Sequence, residues 1–372
     1  MKYVGVDLHK QIIVLCVVVV EGGRRRVVTR RKLACRDVAA VDEFFGRLGS
    51  FQVAVEATSA YEWLLERVEQ SADRMVLVHP RKMRIIAESR RKTDKLDAQI
   101  LAEFLAAGEL PEAWRPTPRV RQHRALVRQL DYLRRKTSGL KCRLRALLAR
   151  YNADVPELFT AQGREHVAHT PLNAADRFVA EQLWAALDFQ HAQRLAIQRQ
   201  LRGFAATAPL AEREARAVLE SVPCVGPVTI EVLLSELGEV RRFGAQNDVV
   251  QYAGLAPGIR ESAGYRKNQG ITKEGCPLLR WTMIQLAWRL VNKSRRWAFV
   301  YEKLKHRCGS KKAIVAVARR VLCVLVSLLH SGQRYNMALD AISMSRPKLA
   351  PRERNQRPQV PPPNPHLLPT SL

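Results

Sequence analysis

The chain has 372 residues, enough for two or three domains, and its 47% hydrophobic content supports packed cores and excludes a wholly disordered protein. Its 62 Lys and Arg against 35 Asp and Glu leave a net charge of +27, which calls for a polyanionic partner, nucleic acid before any other. Seven cysteines (Cys16, Cys35, Cys142, Cys224, Cys276, Cys308 and Cys323), odd in number and never spaced C-x-x-C, argue against a disulfide framework and against a zinc site.

From the N-terminus, residues 4–7 and 12–20 read as a β-hairpin, 26–33 as a third strand and 38–47 as a helix. Residues 53–56 and 75–79 read as further strands, each followed by a helical pattern, so that residues 1–115 form a mixed α/β domain. The run 12–20 is the longest unbroken apolar stretch, well short of the roughly 20 residues that span a bilayer, and it reads as a buried strand. The apolar segment 313–329 is split by Arg319 and Arg320 and reads as a core helix, and no membrane partner is expected. The first residues lack a basic stretch with a small-residue cleavage site, which makes a cytoplasmic location the expectation.

Residues 116–210 change to long helices. Leu126, Leu130, Leu133, Thr137, Leu140, Leu144 and Leu147 alternate in spacings of four and three, a heptad seam, and Leu183, Leu187, Gln190, Arg194, Ile197, Leu201 and Phe204 repeat the rhythm less cleanly. Between them, residues 152–175 are rich in Pro, Gly, Asn and His and read as the tip of a helical hairpin, an antiparallel coiled coil or a dimerisation arm. Residues 115–150 carry twelve Arg or Lys and one acid, Asp131, an excess that repels itself without counter-charge. Arg121, Arg124, Arg128, Arg134, Arg135, Lys141 and Arg145 are therefore candidates for contact with phosphates.

Residues 211–340 read as a second compact domain, mostly α-helical. The turn Val222 to Thr229 before an apolar helix looks like a helix-hairpin-helix element in which Gly226 lets backbone N–H groups approach a phosphate. Downstream, Ser262 sits among glycines and the cations Arg260, Arg266, Lys267 and Lys273, which would hold a phosphate near its hydroxyl. The tail 341–372 holds most of its residues in Pro-rich, polar sequence and reads as disordered.

Four acids carry the chemistry. Asp7 and Glu56 end apolar strands, and Asp94 and Asp97 open a helical stretch at i and i+3, the places where a nuclease of the ribonuclease H type sets metal ligands. Carboxylates so placed would hold a pair of Mg2+ ions that stabilise the attacking and leaving oxygens of a phosphodiester. Each acid also has a structural reading, as a helix cap or an arginine partner.

Gly5-Val6-Asp7, Glu56-Ala57-Thr58, the segment from Thr93 to Ala98, the 222–238 hairpin and Ser262 through Lys273, in this order, resemble insertion sequence 110 family transposases over nearly the whole chain to about residue 335. The resemblance implies a RuvC-like, ribonuclease H-like N-terminal domain with catalytic, metal-binding Asp7, Glu56, Asp94 and Asp97. It further implies a coiled-coil middle and a C-terminal transposase domain whose Ser262 attacks DNA. Family members commonly carry a second serine where this chain has Ala263, which leaves Ser262 the local candidate. The implied partners are donor and target DNA, a structured bridge RNA from the element and further copies of the chain in a dimer or tetramer. The implied setting is a bacterial cytoplasm, on the nucleoid when active. Two other readings are a RuvC-like, structure-selective endonuclease with water as nucleophile and a non-catalytic nucleic-acid-binding protein.

Overall fold

The computed structural model describes residues 1–58, 60–87, 94–262 and 265–338, with the backbone alone at 84–87, 94–96, 259–262 and 265–269. The chain divides into two units, Met1–Thr117 and Pro118 onward. The expected middle domain belongs with the C-terminal unit.

The first unit is a five-stranded mixed sheet of β1 (Lys2–Leu8), β2 (Ile12–Glu21), β3 (Arg24–Ala34), β4 (Phe51–Glu56) and β5 (Arg74–Val78), in the order β3-β2-β1-β4-β5. The first three strands pair antiparallel, while β1, β4 and β5 run parallel. β2 is apolar at nearly every position because the sheet is covered on both faces. One face packs Val4, Val6, Val53 and Val55 against Phe45 of α1 (Val38–Gly46) and Leu64 and Leu65 of α2 (Glu62–Val68). α3 (Pro80–Ala87) follows β5, and α4 (Asp94–Ala107) covers the other face, packing Ile100, Leu101 and Leu105 on Ala54, Val76 and Val78, and Ala98 and Ala102 on Val14, Cys16 and Val18. This mixed sheet is consistent with the ribonuclease H-like fold. β3 is an edge strand whose exposed arginines discourage pairing with another sheet.

In the second unit α5 (Pro118–Ala149) and α7 (Ala174–Ala206) lie antiparallel. Val127 and Leu130, early in α5, meet Leu201, late in α7, whereas Leu144, Leu147 and Leu148 meet Ala180, Leu183 and Leu187. Thr137, the polar position of the seam, donates its hydroxyl to Leu133 O at 2.8 Å. The tip contains a helix that the composition of 152–175 concealed, α6 (Ala161–His169), capped by Thr160, whose hydroxyl accepts from Gly163 N. Gly139 sits inside α5 with open space where a Cβ would stand, so Gly139→Ala is expected to stabilise the second unit by about 0.5–1 kcal/mol. A thermal melt that moved down would contradict it.

The remaining helices, α8 (Leu210–Glu220), α9 (Pro227–Leu237), α10 (Gln246–Tyr252), α11 (Pro277–Lys293), α12 (Arg295–Cys308) and α13 (Ser310–Ser331), enclose the largest core. α13 is long and apolar enough to cross a membrane, but Ile314, Val317, Val321, Leu322 and Leu325 are its buried stripe in this core, as expected of a core helix. Ser262 and the neighbouring cations Arg260, Arg266 and Lys267 lie on two strands, β6 (Pro257–Ser262) and β7 (Tyr265–Ile271), which pair as a two-stranded antiparallel sheet. Val232 of α9 joins Val127, Leu130 and Leu201, so the helical pair and the C-terminal core share their packing.

Candidate active site

The register of the first sheet explains where its acids lie. Val6 pairs with Val55 in parallel, so Asp7 and Glu56 are the next residues of neighbouring strands at the same carboxyl edge. Side chains alternate between the faces of a strand. Val4, Val6, Val53 and Val55 belong to the α1–α2 face and Ala54 to the α4 face, which puts Asp7 and Glu56 on the face that α4 covers. Gly5 lies directly beneath α4: a Cβ there would stand 2.0 Å from Ala98 O and 2.5 Å from Ala102 N. Tyr3, nearer the strand's start, joins the cluster of Leu105 and Phe104, so α4 runs against β1 and its first residues reach toward the Asp7 end. The topology therefore sets Asp7 beside Glu56 at one end of the sheet and directs the start of α4, where Asp94 and Asp97 lie, toward that end.

Asp7 is mostly buried, with 14% of its side chain exposed, and holds His9 Nε2 at 3.1 Å. This Asp-x-His pairing at the end of β1 was missed from the sequence, where the i, i+2 spacing across a strand end was its one signal. Among the described residues no three His, Cys, Asp or Glu side chains stand together as ligands of one ion. The Asp94 side chain lies outside those described. The donor chemistry, carboxylates alone, suits a hard divalent cation.

Ser262 ends β6 opposite Tyr265, and Arg260 stands opposite Lys267 in the same ladder, with Glu261 opposite Arg266. The Ala263-Gly264 link between the strands lies outside the described residues. The hairpin is rooted in the core by backbone hydrogen bonds from Thr272 N to Ala256 O and from Lys273 N to Gly254 O. Lys273 is exposed and adopts φ +57°, so its backbone turns the chain out of β7. Nearby Cys276 is not an activated thiol: burial first, then the charge of Glu236, pushes it up to about 11, and its sulfur caps α11 by accepting from Leu279 N.

The helix-hairpin-helix-like turn joins α8 to α9 with Gly226 at the N-cap and Pro227 at the first helical position, and no side chain caps this N-terminus. Arg289 leans over the turn, its Nη1 donating to Cys224 O at 3.4 Å and its Nη2 to Thr229 Oγ1 at 3.5 Å. From Thr229 to Leu237 α9 is buried on every side, yet it carries Glu231 and Glu236, two acids that the apolar look of residues 230–237 hid. Glu236 is fully buried and takes two hydrogen bonds from Arg128, at 2.9 and 3.0 Å. Arg124 donates to Ser235 O, Glu236 O and the Tyr252 hydroxyl. Glu231 holds His123 Nε2 at 2.5 Å and Arg216 at 2.6 Å, and Arg216 and Arg119 share Glu212. Burial pushes the Glu231 carboxyl up, but the hydrogen bonds and charges of His123 and Arg216 outweigh it and hold the group below its usual range.

The basic helix is thus less bare than its local sequence suggests. Arg124 and Arg128 are spent on α9, Arg134 and Arg135 both pair with Asp131, and Arg145 binds Asp154 and two carbonyls near it. Lys141 lies over the Phe159 ring, and Arg121 also has a partner within the protein. Counter-charges from distant segments answer the repulsion that the run of cations implied.

Residues 4–153 match a family model for DEDD transposases of IS110 type, and residues 216–302 match the family described as Transposase IS116/IS110/IS902. The first takes in the strand acids and α4, and the second the hairpin turn and Ser262. The chain is 24% identical to the transposase for insertion sequence element IS1111A of Coxiella burnetii over 90% of this chain and 91% of that protein. It is 22% identical to the pilin gene-inverting protein of Moraxella bovis over 90% and 97% respectively. To the 43.6 kDa protein of insertion element IS110 from Streptomyces coelicolor it is 26% identical over 50% of this chain, which spans less than half, 45%, of that relative. Two matched regions in the family's order, the first on a sheet that sets Asp7 beside Glu56, identify the chain as a member of the IS110 family of transposases.

Proposed function

We propose that this protein cuts and rejoins the DNA of an insertion sequence by serine attack, assisted by Mg2+ at the acidic edge of the first unit. The observation that carries the reading is the neighbouring placement of Asp7 and Glu56 on parallel strands, with the start of α4 directed to the same edge. Asp7, Glu56, Asp94 and Asp97 would hold two Mg2+ ions per site. Bound there, the metal supplies Lewis-acid stabilisation of charge on the phosphate oxygens. The Ser262 hydroxyl loses its proton as its oxygen bonds to phosphorus, and one P–O bond of the DNA breaks, its oxygen leaving as a DNA hydroxyl that takes up the proton. Attack by another DNA hydroxyl on the phosphoserine reverses these steps and frees Ser262, so phosphodiester bonds are conserved without an energy source. Arg260, Arg266, Lys267 and Lys273 would steady the phosphate beside it.

Ser262 lies 165 positions or more from each of the four acids in sequence, so the reading includes a site completed on nucleic acid in a dimer or tetramer. The partners are donor and target DNA and a structured bridge RNA that supplies sequence choice, in the bacterial cytoplasm. The exposed cations of α5 and the Gly226 turn would contact one or both nucleic acids. The name of the Moraxella relative, an inverting protein, agrees with strand exchange rather than simple hydrolysis.

The test is a denaturing gel for a covalent protein–DNA adduct, formed with Mg2+, element-flanking DNA and candidate RNA. Wild type is expected to give an adduct that disappears in both Ser262→Ala and Asp7→Ala. Cleaved DNA without adduct, surviving Ser262→Ala but not Asp7→Ala, would make the protein a hydrolytic nuclease with water as nucleophile.

A further inference from the structure

A cavity of about 360 Å³ opens inside the second unit, between α5, α7, the Gly226 turn and α11. Its floor is apolar, formed by Val127, Leu130, Val232 and Leu278. Trp281 and Val228, 40% and 49% exposed, also line it, and the Arg134 guanidinium lies 4.0 Å over the Trp281 ring. Two more cations, Arg194 and Arg289, contribute to its wall. The lining acids, Asp131 and Glu231, are each already paired with cations of the protein, so they leave the cavity net positive.

Two features of this cavity are unexplained by folding. The first is Thr282, 3% exposed, whose Oγ1 is buried in the lining without a hydrogen-bond partner. A buried hydroxyl so placed costs its desolvation unless something else satisfies it. The second is Gly226. Its φ of −92° is open to any residue and a Cβ would meet nothing within 4 Å, so the fold does not require glycine there. What the missing side chain leaves is room beside an uncapped helix N-terminus, where N–H groups and the helix dipole favour an anion.

We infer that this cavity binds one unstacked nucleotide of a nucleic-acid strand, with the phosphate at the Gly226 turn, near Arg289, and the base in the apolar cavity. Trp281 with its overlying Arg134 offers a flat surface for stacking, the Thr282 hydroxyl meets a polar atom on the base edge, and the volume falls in the roughly 300–1,000 Å³ range of small-ligand pockets. Such a pocket serves an enzyme that must hold a strand locally unpaired, and a duplex with every base stacked has nothing to place in it. The inference rests on the nucleic-acid reading above and adds a single-strand preference located at named residues.

The test uses the full chain with a fluorescein-labelled 12-mer as single-stranded DNA, as single-stranded RNA and as duplex DNA, read by anisotropy at fixed salt. Wild type is expected to bind a single strand more tightly than the duplex, and the better of the DNA and RNA arms identifies the strand. Trp281→Ala should weaken that binding by about fivefold or more while leaving duplex binding near its original value. Thr282→Val should melt at or above the wild-type temperature, since it removes an unpaired hydroxyl, yet weaken single-strand binding or change its order among homopolymers. Gly226→Val should keep the fold and weaken single-strand binding. If wild type binds duplex and single strands but these folded variants bind as it does, the pocket is overturned and the nucleic-acid reading stands. If wild type binds none of the three, both fall.

Discussion

Replacing Gly5 with alanine is expected to destabilise the first unit by about 1–3 kcal/mol or more and to abolish adduct formation, although no acid is touched. The new Cβ would stand 2.0 Å from Ala98 O and 2.5 Å from Ala102 N, both backbone atoms of α4 that no rotamer change can remove. Reaching an ordinary contact of 3.4 Å requires the helix to lift by about 1.4 Å from β1. That lift opens the packing of Ala98 and Ala102 on Val14, Cys16 and Val18. It also moves the start of α4, which carries Asp94 and Asp97, away from Asp7 and Glu56, and a displacement of about 1 Å in a catalytic group is enough to cost on the order of a hundredfold in rate. Thermal melting followed by the adduct gel separates the two effects. A Gly5→Ala protein that melts with wild type and still forms adduct would show that α4 can retreat freely and that its distance from β1 does not set the site.

How legible this was depends on the distance in sequence over which each feature is decided. The strands of the first unit are readable because β1, β2 and β4 contain apolar runs, and Asp7 and Glu56 stand out as the first charges after the runs of β1 and β4. Gly5 carried no such signal, since its role is fixed by a helix some ninety residues later. The β6–β7 ladder is concealed by its composition of glycine and charge, since strand propensity there is weak and the pairing is set by context across the strands. The basic face of α5 was the largest misreading of context. Local counting finds one acid among its cations, but Glu212, Glu231 and Glu236 arrive from 93 to 112 positions away, in helices placed beside it by the fold. The cavity under the Gly226 turn combines α5, α7, α9 and α11, so no segment of the chain announces it.

Glu231→Gln is expected to destabilise the second unit by about 3 kcal/mol at neutral pH. The side chains of Glu231, Arg216 and His123 are only 11%, 12% and 4% exposed, so the charge left behind by the substitution has little access to water. Removing one member of a buried pair strands its partner, which costs about 3–5 kcal/mol. The lower end is chosen here because Arg216 keeps Glu212, which it also binds at 2.8 Å. The same geometry fixes the pH dependence. Burial raises Glu212 and Glu231, but their cationic partners outweigh it and hold both carboxyls below the ordinary value of 4.5 in the folded protein. A folded-state value below the unfolded one means that the stabilisation is complete above about pH 4.5 and fades as pH falls through the folded values. Wild type should therefore lose stability on acidification below about pH 4.5, and Glu231→Gln should lose less over the same interval, because one of the two groups no longer titrates. Denaturant unfolding at pH 7 and at successive values below 4.5, followed by tryptophan fluorescence, measures both. Equal stability at pH 7 would mean that the network directs the docking of α5 on α9 without strengthening it, and parallel acid profiles would remove Glu231 as the titrating group.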